Sequence, residues 1–161
     1  YSPQQVFYEL TKEAEKHGHK IISASASEGT LGKEHLLELL TLVDKSKYVF
    51  VLETNGITLG HDINYARSLS KFKNLHVRVS IKGTNKKEYN TLTGAESNSY
   101  ELPFKALKNL IDFNISCNAC LMISFSTQKN IDEFVKFWFQ LFRDSPVKRG
   151  IFSQSFYPMF R

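Results

Sequence analysis

Two apolar spacings take turns along the whole chain, and this alternation limits the possible folds more than any single motif does. Val6, Phe7, Leu10 and Ala14 recur at helical spacing. They follow Ser2 as N-cap, Pro3 at the first helical position and Gln5 at the third, and the helix should stop near Gly18. A strand is expected over about Lys20 to Ser27, then a helix bearing Leu36, Leu37, Leu39, Leu40 and Val43. Tyr48-Val49-Phe50-Val51-Leu52 is apolar on both faces, as a parallel strand covered by helices must be. A third helix over about Gly60 to Ser70 precedes Leu75 to Lys82, which alternates without a break. Helices are then expected from Asn85, with Glu88 third, and from near Pro103. They are followed by a strand within Ile115 to Ser124, a helix from Asn130 with Glu133 third, and a short fifth strand near Gly150 to Ser153. Strands separated by helices pair in parallel through right-handed crossovers. The expected fold is therefore α/β, with four to five parallel strands and flanking helices. No repeat, low-complexity tract or linker divides residues 1–161, so one domain is expected.

Composition removes other classes. A hydrophobic fraction of 42% and a charged fraction of 23% are those of a globular chain, not a disordered or fibrous one. No apolar run approaches the roughly 20 residues of a membrane span, and Tyr1 to Gln5 lack the charged and apolar regions of a signal peptide. A cytoplasmic protein without a membrane partner is expected. The net charge of +5 is spread from Lys12 to Arg161, with only short groups such as Lys71-Phe72-Lys73 and Lys86-Lys87. Solvated helix faces account for that distribution, and nucleic acid is not the expected partner. Cys117 and Cys120 have CxxC spacing, but they fall within a strand, where residues three apart point to opposite faces. They are expected to be buried structural thiols, and no metal site is assigned to the chain.

The chain has no GxGxxG after a strand and no GxxxxGK[ST], which removes the main support for Rossmann and P-loop readings. A complete (β/α)8 barrel takes about 250 residues, so this chain is expected to be a portion of a barrel. In such folds ligands meet the carboxyl ends of the strands. After the first strand, Ser23-Ala24-Ser25-Ala26-Ser27 runs into Glu28: small residues leave room beside the backbone, and a carboxylate suits an ammonium group. Taken alone, Glu28 is better explained as an acid complementing the dipole of the helix that follows. The second strand ends in Glu53-Thr54-Asn55-Gly56, which taken alone is an ordinary polar turn. On the third strand Leu75, Val77, Val79 and Ile81 share one face and His76, Arg78, Ser80 and Lys82 the other. Either a polar barrel lumen or a half-exposed edge strand produces this pattern.

Together these segments resemble the radical S-adenosylmethionine (radical SAM) superfamily, in particular its activating-enzyme-like Fe–S oxidoreductases. Ala26-Ser27-Glu28-Gly29-Thr30-Leu31-Gly32 sits where that family has Gly-Gly-Glu-Pro, Thr54-Asn55-Gly56 is similar to its Thr-Asn-Gly turn, and Ser80-Ile81-Lys82-Gly83 is similar to a strand that contacts SAM. The cadence continues through Leu92-Thr93-Gly94-Ala95 and Tyr100-Glu101-Leu102-Pro103, and the resemblance covers about Ser2 to Phe142. It implies a SAM site at the strand ends. Glu28 would hold the SAM amino group beside Ser27, Ser80 and Lys82 would contact its ribose or carboxylate, and Thr54, Asn55 and Arg78 would form the wall. It also implies a [4Fe–4S] cluster, whose CxxxCxxC belongs just before the first helix. The motif departs from the family in having Ala26 and Ser27 for the two glycines and Gly29 for the proline. Added side chains at a close backbone approach crowd the methionine moiety of SAM.

Two functional readings follow. In the first, the chain is the barrel body of an enzyme that cleaves SAM reductively to a 5′-deoxyadenosyl radical once the cluster segment is present, acting on an unknown substrate. In the second, it is a shortened, non-catalytic barrel that serves as a binding or interaction module. Open strand edges in a partial barrel favour a homodimer or a partner that covers them.

Overall fold

The computed structural model describes residues 1–24, 27–143 and 152–154, the last three by backbone alone. Its centre is a parallel sheet of five strands among the described residues: β1 (Ile21–Ser23), β2 (Val49–Thr54), β3 (Leu75–Lys82), β4 (Cys117–Met122) and β5 (Phe152–Gln154). Spatial order equals sequence order, β1-β2-β3-β4-β5, and every neighbouring pair is parallel. A doubly wound sheet reverses its strand order at a switch point, whereas this one advances in a single direction, as the wall of a barrel does.

Helices fill each crossover. They are α1 (Pro3–Lys16) before β1, α2 (Lys33–Asp44), α3 (Ile57–His61) and α4 (Ile63–Leu69), α5 (Lys86–Thr93) and α6 (Leu102–Asp112), and α7 (Gln128–Leu141). Their apolar stripes cover one face of the sheet. Phe50, Leu52, Val77, Val79, Ile81, Ala119 and Leu121 are buried there with Leu36, Leu40, Leu59, Leu69, Leu107 and Leu110 from the helices. The other face keeps Glu53, His76, Arg78, Ser80, Lys82, Asn118 and Cys120 half-buried. The polar set of β3 thus lies on the concave side, away from the helices.

The α1 start is as expected: Ser2 and Gln5 form a reciprocal capping box, with Pro3 in the first turn. β3 has the expected bounds. Three expectations are corrected. The first strand ends at Ser23, because the chain leaves the sheet for the short turn Gly29–Leu31 capped by the Glu28 carboxylate. The expected Gly60 to Ser70 helix is two helices, because Asp62 leaves helical geometry and its Oδ1 accepts the Asn64 and Tyr65 N–H groups at 2.9 and 3.0 Å, restarting the chain as α4. The last long helix is capped by Thr127, whose Oγ1 accepts the Asn130 N–H at 3.2 Å, while the Asn130 side chain reaches a tertiary partner. Ser25 and Ala26, and Gly150 and Ile151 of the expected fifth strand, lie outside the described residues.

Candidate functional site

Parallel pairing brings the carboxyl ends of β1 to β4 to one rim, and register stacks the concave side chains below it in rows. Lys82 pairs with Met122 at the rim, Ser80 with Cys120 one pleat down, and Glu53, Arg78 and Asn118 align in the next row. His76 lies deepest, with ring nitrogens 2.8 Å from Ser116 Oγ and 2.7 Å from Asn118 Oδ1. In the middle row Arg78 Nη1 donates to Glu53 Oε1 at 2.6 Å, both side chains being about two-fifths exposed. The concave side chains of β3 and the Glu53–Arg78–Asn118 row are polar, while Ile21, Val49 and Val51 of β1 and β2 and Met122 of β4 add apolar groups to the same face.

The rim is tied together by two carboxylates. Glu28, after β1, accepts the Thr30 N–H at 3.3 Å, the Thr30 hydroxyl at 2.6 Å and the Thr54 hydroxyl at 2.7 Å on Oε1. Its Oε2 accepts the Asn55 N–H at 2.7 Å. Thr54 Oγ1 in turn accepts the Gly56 N–H at 3.0 Å, and Asn55 Oδ1 accepts the Ile57 N–H at 2.9 Å. Gly56 has φ +76°, and a Cβ there would lie 2.9 Å from Val79 Cγ1, so only glycine lets this turn seat against β3 and α6. Behind Glu28 stands Tyr65, 1% exposed, whose hydroxyl has no hydrogen-bond partner among the described residues. Burial, with the Glu28 and Asp62 charges, pushes its pKa up to about 12.

The second tie is Glu88 in α5. Its Oε2 accepts the Thr84 N–H at 2.8 Å, the Thr84 hydroxyl at 2.7 Å and the Ser126 hydroxyl at 2.6 Å, and Oε1 accepts Asn130 Nδ2 at 2.7 Å. Burial works against the ionised form, but these hydrogen bonds outweigh it and bring the pKa down to about 2.

The structure therefore gathers Glu28, Thr54 and Asn55 into one bonded cluster at the ends of β1 and β2. Ser80 and Lys82 stand on the concave face of β3, and Ser27 is exposed on the rim. Arg78 is separated from the rim by two pleats. Thr54 has the parity of Leu52 and is 3% exposed, so its side chain faces the helix layer instead of forming a wall of the lumen. Glu53 and Asn118 carry no local sequence signal for this row, because register between parallel strands is set by the crossovers and leaves no local mark. In sequence Glu88 reads only as a helix-start residue. The Asn85 cap this implies is present, with Asn85 Oδ1 accepting the Glu88 N–H at 3.0 Å, but the carboxylate turns to the neighbouring loop.

Cys117 faces the helices, opposite Val77, and Cys120 faces the lumen, opposite Ser80, so the two thiols diverge. Both are half-buried, more accessible than the fully buried thiols expected, and burial raises the Cys117 pKa to about 11. Among the described residues no group of three or more His, Cys, Asp or Glu side chains could hold a metal ion. The described residues therefore do not fit a cluster. No helix among them is long and apolar enough to cross a membrane.

A family model described as the Radical SAM superfamily matches residues 1–137. No curated protein matches the sequence. Among solved structures, SuiB of Streptococcus suis bound to S-adenosylmethionine is similar with a TM-score of 0.67 and 16% identity, over 88% of this chain and 32% of that one. Native anSMEcpe with bound AdoMet gives 0.63 and 20%, over 84% and 39%. SuiB bound to the precursor peptide SuiA gives 0.68 and 16%, over 88% and 30%. The chain thus spans about a third of the length of these structures, and the likeness confirms an α/β fold of the partial-barrel kind.

Proposed function

Because the chain belongs to the radical SAM superfamily, we propose that it is the barrel body of an Fe–S oxidoreductase whose SAM site is the rim of β1 to β4. One observation carries this reading: Ser80 and Lys82 rise from the concave face of β3 above the polar row of Glu53, Arg78 and Asn118, at the same rim where Glu28 is fixed between β1 and β2. A hydroxyl and an ammonium suit a ribose or a carboxylate. Glu28 Oε1 is saturated by its donors. Oε2 accepts only the Asn55 N–H among the described residues, and so it keeps a lone pair for an amino group. Thr54 and Asn55 hold that carboxylate in place, and Arg78 with Glu53 forms the floor.

The electron for reductive cleavage of SAM would come from a [4Fe–4S] cluster, which the family implies. Its ligands would have to come from outside the described residues. The part of these residues is to bind, orient and shield. β1 is an edge strand with Ile21 62% exposed, and a further segment of the protein or a second copy would close the barrel there.

The test is calorimetric titration of SAM into the full-length protein under anaerobic conditions, beside Ser80→Ala and Lys82→Ala. Saturable binding, weakened about tenfold in each variant, is expected for the loss of one hydrogen bond near a charged ligand. Absence of binding by the wild type, or identical affinities in all three, contradicts the reading.

A further inference from the structure

Glu88 lies outside every SAM contact proposed above, yet it is held as tightly as Glu28. Its four donors, at 2.6–2.8 Å, come from the turn after β3 (Thr84), the loop after β4 (Ser126) and the first turn of α7 (Asn130). Thr84 is two residues beyond Lys82, across Gly83, which has φ +76°. A Cβ on Gly83 would lie 2.7 Å from the Cβ of Glu88, so the turn and the α5 backbone are in direct contact. The Gly83 N–H donates to Met122 O at 3.2 Å, extending the β3–β4 pairing to the very end of both strands. Ser126 closes the same loop from the other side, its N–H donating to Ile123 O at 2.9 Å. A charged acceptor bonded from three segments fixes their relative positions in a way that one neutral bond cannot.

We propose that Glu88 is a positioning residue for the SAM site: by clamping the end of β3 to the loop after β4, it sets where Ser80 and Lys82 stand relative to Glu28. The inference rests on the SAM-site reading above. It completes a symmetrical arrangement, in which Glu28 joins the ends of β1 and β2 and Glu88 joins those of β3 and β4. Two short ties then hold a rim built from loops, where an opening of about 1 Å is enough to misplace a ligand.

The test compares the full-length wild type with Glu88→Gln, with Ser126→Ala, with the double variant Glu88→Gln/Asn130→Asp, and with Leu40→Ala as a core-destabilised control. Two quantities are read: amide exchange by mass spectrometry and SAM affinity by titration. Glu88→Gln should raise exchange at residues 82–85 and 123–127 selectively and weaken SAM binding about tenfold, with Ser126→Ala changing both in the same direction by less. The double variant restores an amide-to-carboxylate bond with its polarity reversed and should regain much of the affinity. Leu40→Ala, 1% exposed in α2, should lower the melting temperature without a comparable change in affinity. Unchanged exchange at those two segments in Glu88→Gln removes the clamp. Local loosening with an affinity equal to that of Leu40→Ala removes the positioning role. A wild type that does not bind SAM overturns the site itself, and the exchange data still say whether the clamp exists.

Discussion

Replacing Glu28 by alanine removes the acceptor for four hydrogen bonds, two from Thr30 within its own turn and two from Thr54 and Asn55 that join the ends of β1 and β2. The donors are not equally affected. Asn55 is exposed, and water can take over its N–H. Thr30 and Thr54 are 1% and 3% exposed, so their hydroxyls lose a charged acceptor in places water does not reach without rearrangement. At about 1–1.5 kcal/mol for each stranded hydroxyl, and somewhat less for the backbone donors, the loss should be about 3 kcal/mol. In a chain of this size that lowers the melting temperature by roughly 6–12 °C. Denaturant unfolding of the full-length protein measures the energy, and a cycle with Thr54→Val isolates the pair. The two residues share one hydrogen bond, so the coupling should be about 1 kcal/mol. Glu28→Ala should also weaken SAM binding at least tenfold, whereas Thr54→Val, which leaves the carboxylate in place, should weaken it less. A stability loss below about 0.5 kcal/mol, or additivity in the cycle, would refute the tie.

Two further outcomes follow from the packing. The pKa of Glu88 is lowered from 4.5 to about 2, so its contribution is complete above pH 4.5 and disappears as pH falls through 2. The stability gap between wild type and Glu88→Gln should therefore be on the order of 2 kcal/mol at pH 5, after discounting for partial exposure, and should close towards pH 2 in denaturant unfolding. A gap that does not depend on pH would show that ionisation is not what the donors stabilise. Gly60→Ala should lower stability by about 3 kcal/mol, because the added Cβ would lie 2.1 Å from Leu102 O, where α3 touches the start of α6. A melting temperature within 2 °C of wild type would place the two backbones further apart than described.

The succession of strands and helices along the chain and the polar face of β3 are legible in the sequence because they rest on local periods. Leu75 to Lys82 alternate strictly, and each strand is followed by a helical repeat. The same holds for the Ser2 and Asn85 caps, whose partners lie three residues away. What could not be read depends on contacts between distant segments. Read alone, Glu28 is an acid at a helix start, and the family resemblance implies that it holds the SAM amino group. Its bonds to Thr54 and Asn55 span 26 and 27 residues, so nothing beside it in the chain reveals that its carboxylate is also a structural tie. Glu88 and Asn130, 42 residues apart, were each assigned to a helix start, and tertiary bonding redirected both side chains. Asp62 is the local exception: an acid two and three residues before free N–H groups is a cap signal, and it was missed because the apolar repeat runs straight through it.

The proposed binding of SAM at the carboxyl ends of β1 to β4 is tested most directly by amide exchange of the full-length protein with and without SAM. Protection is expected at residues 27–32, 53–57 and 80–85, with the amino ends of the same strands unchanged. SAM-dependent protection confined to other segments, or none with SAM present in excess, would contradict the account.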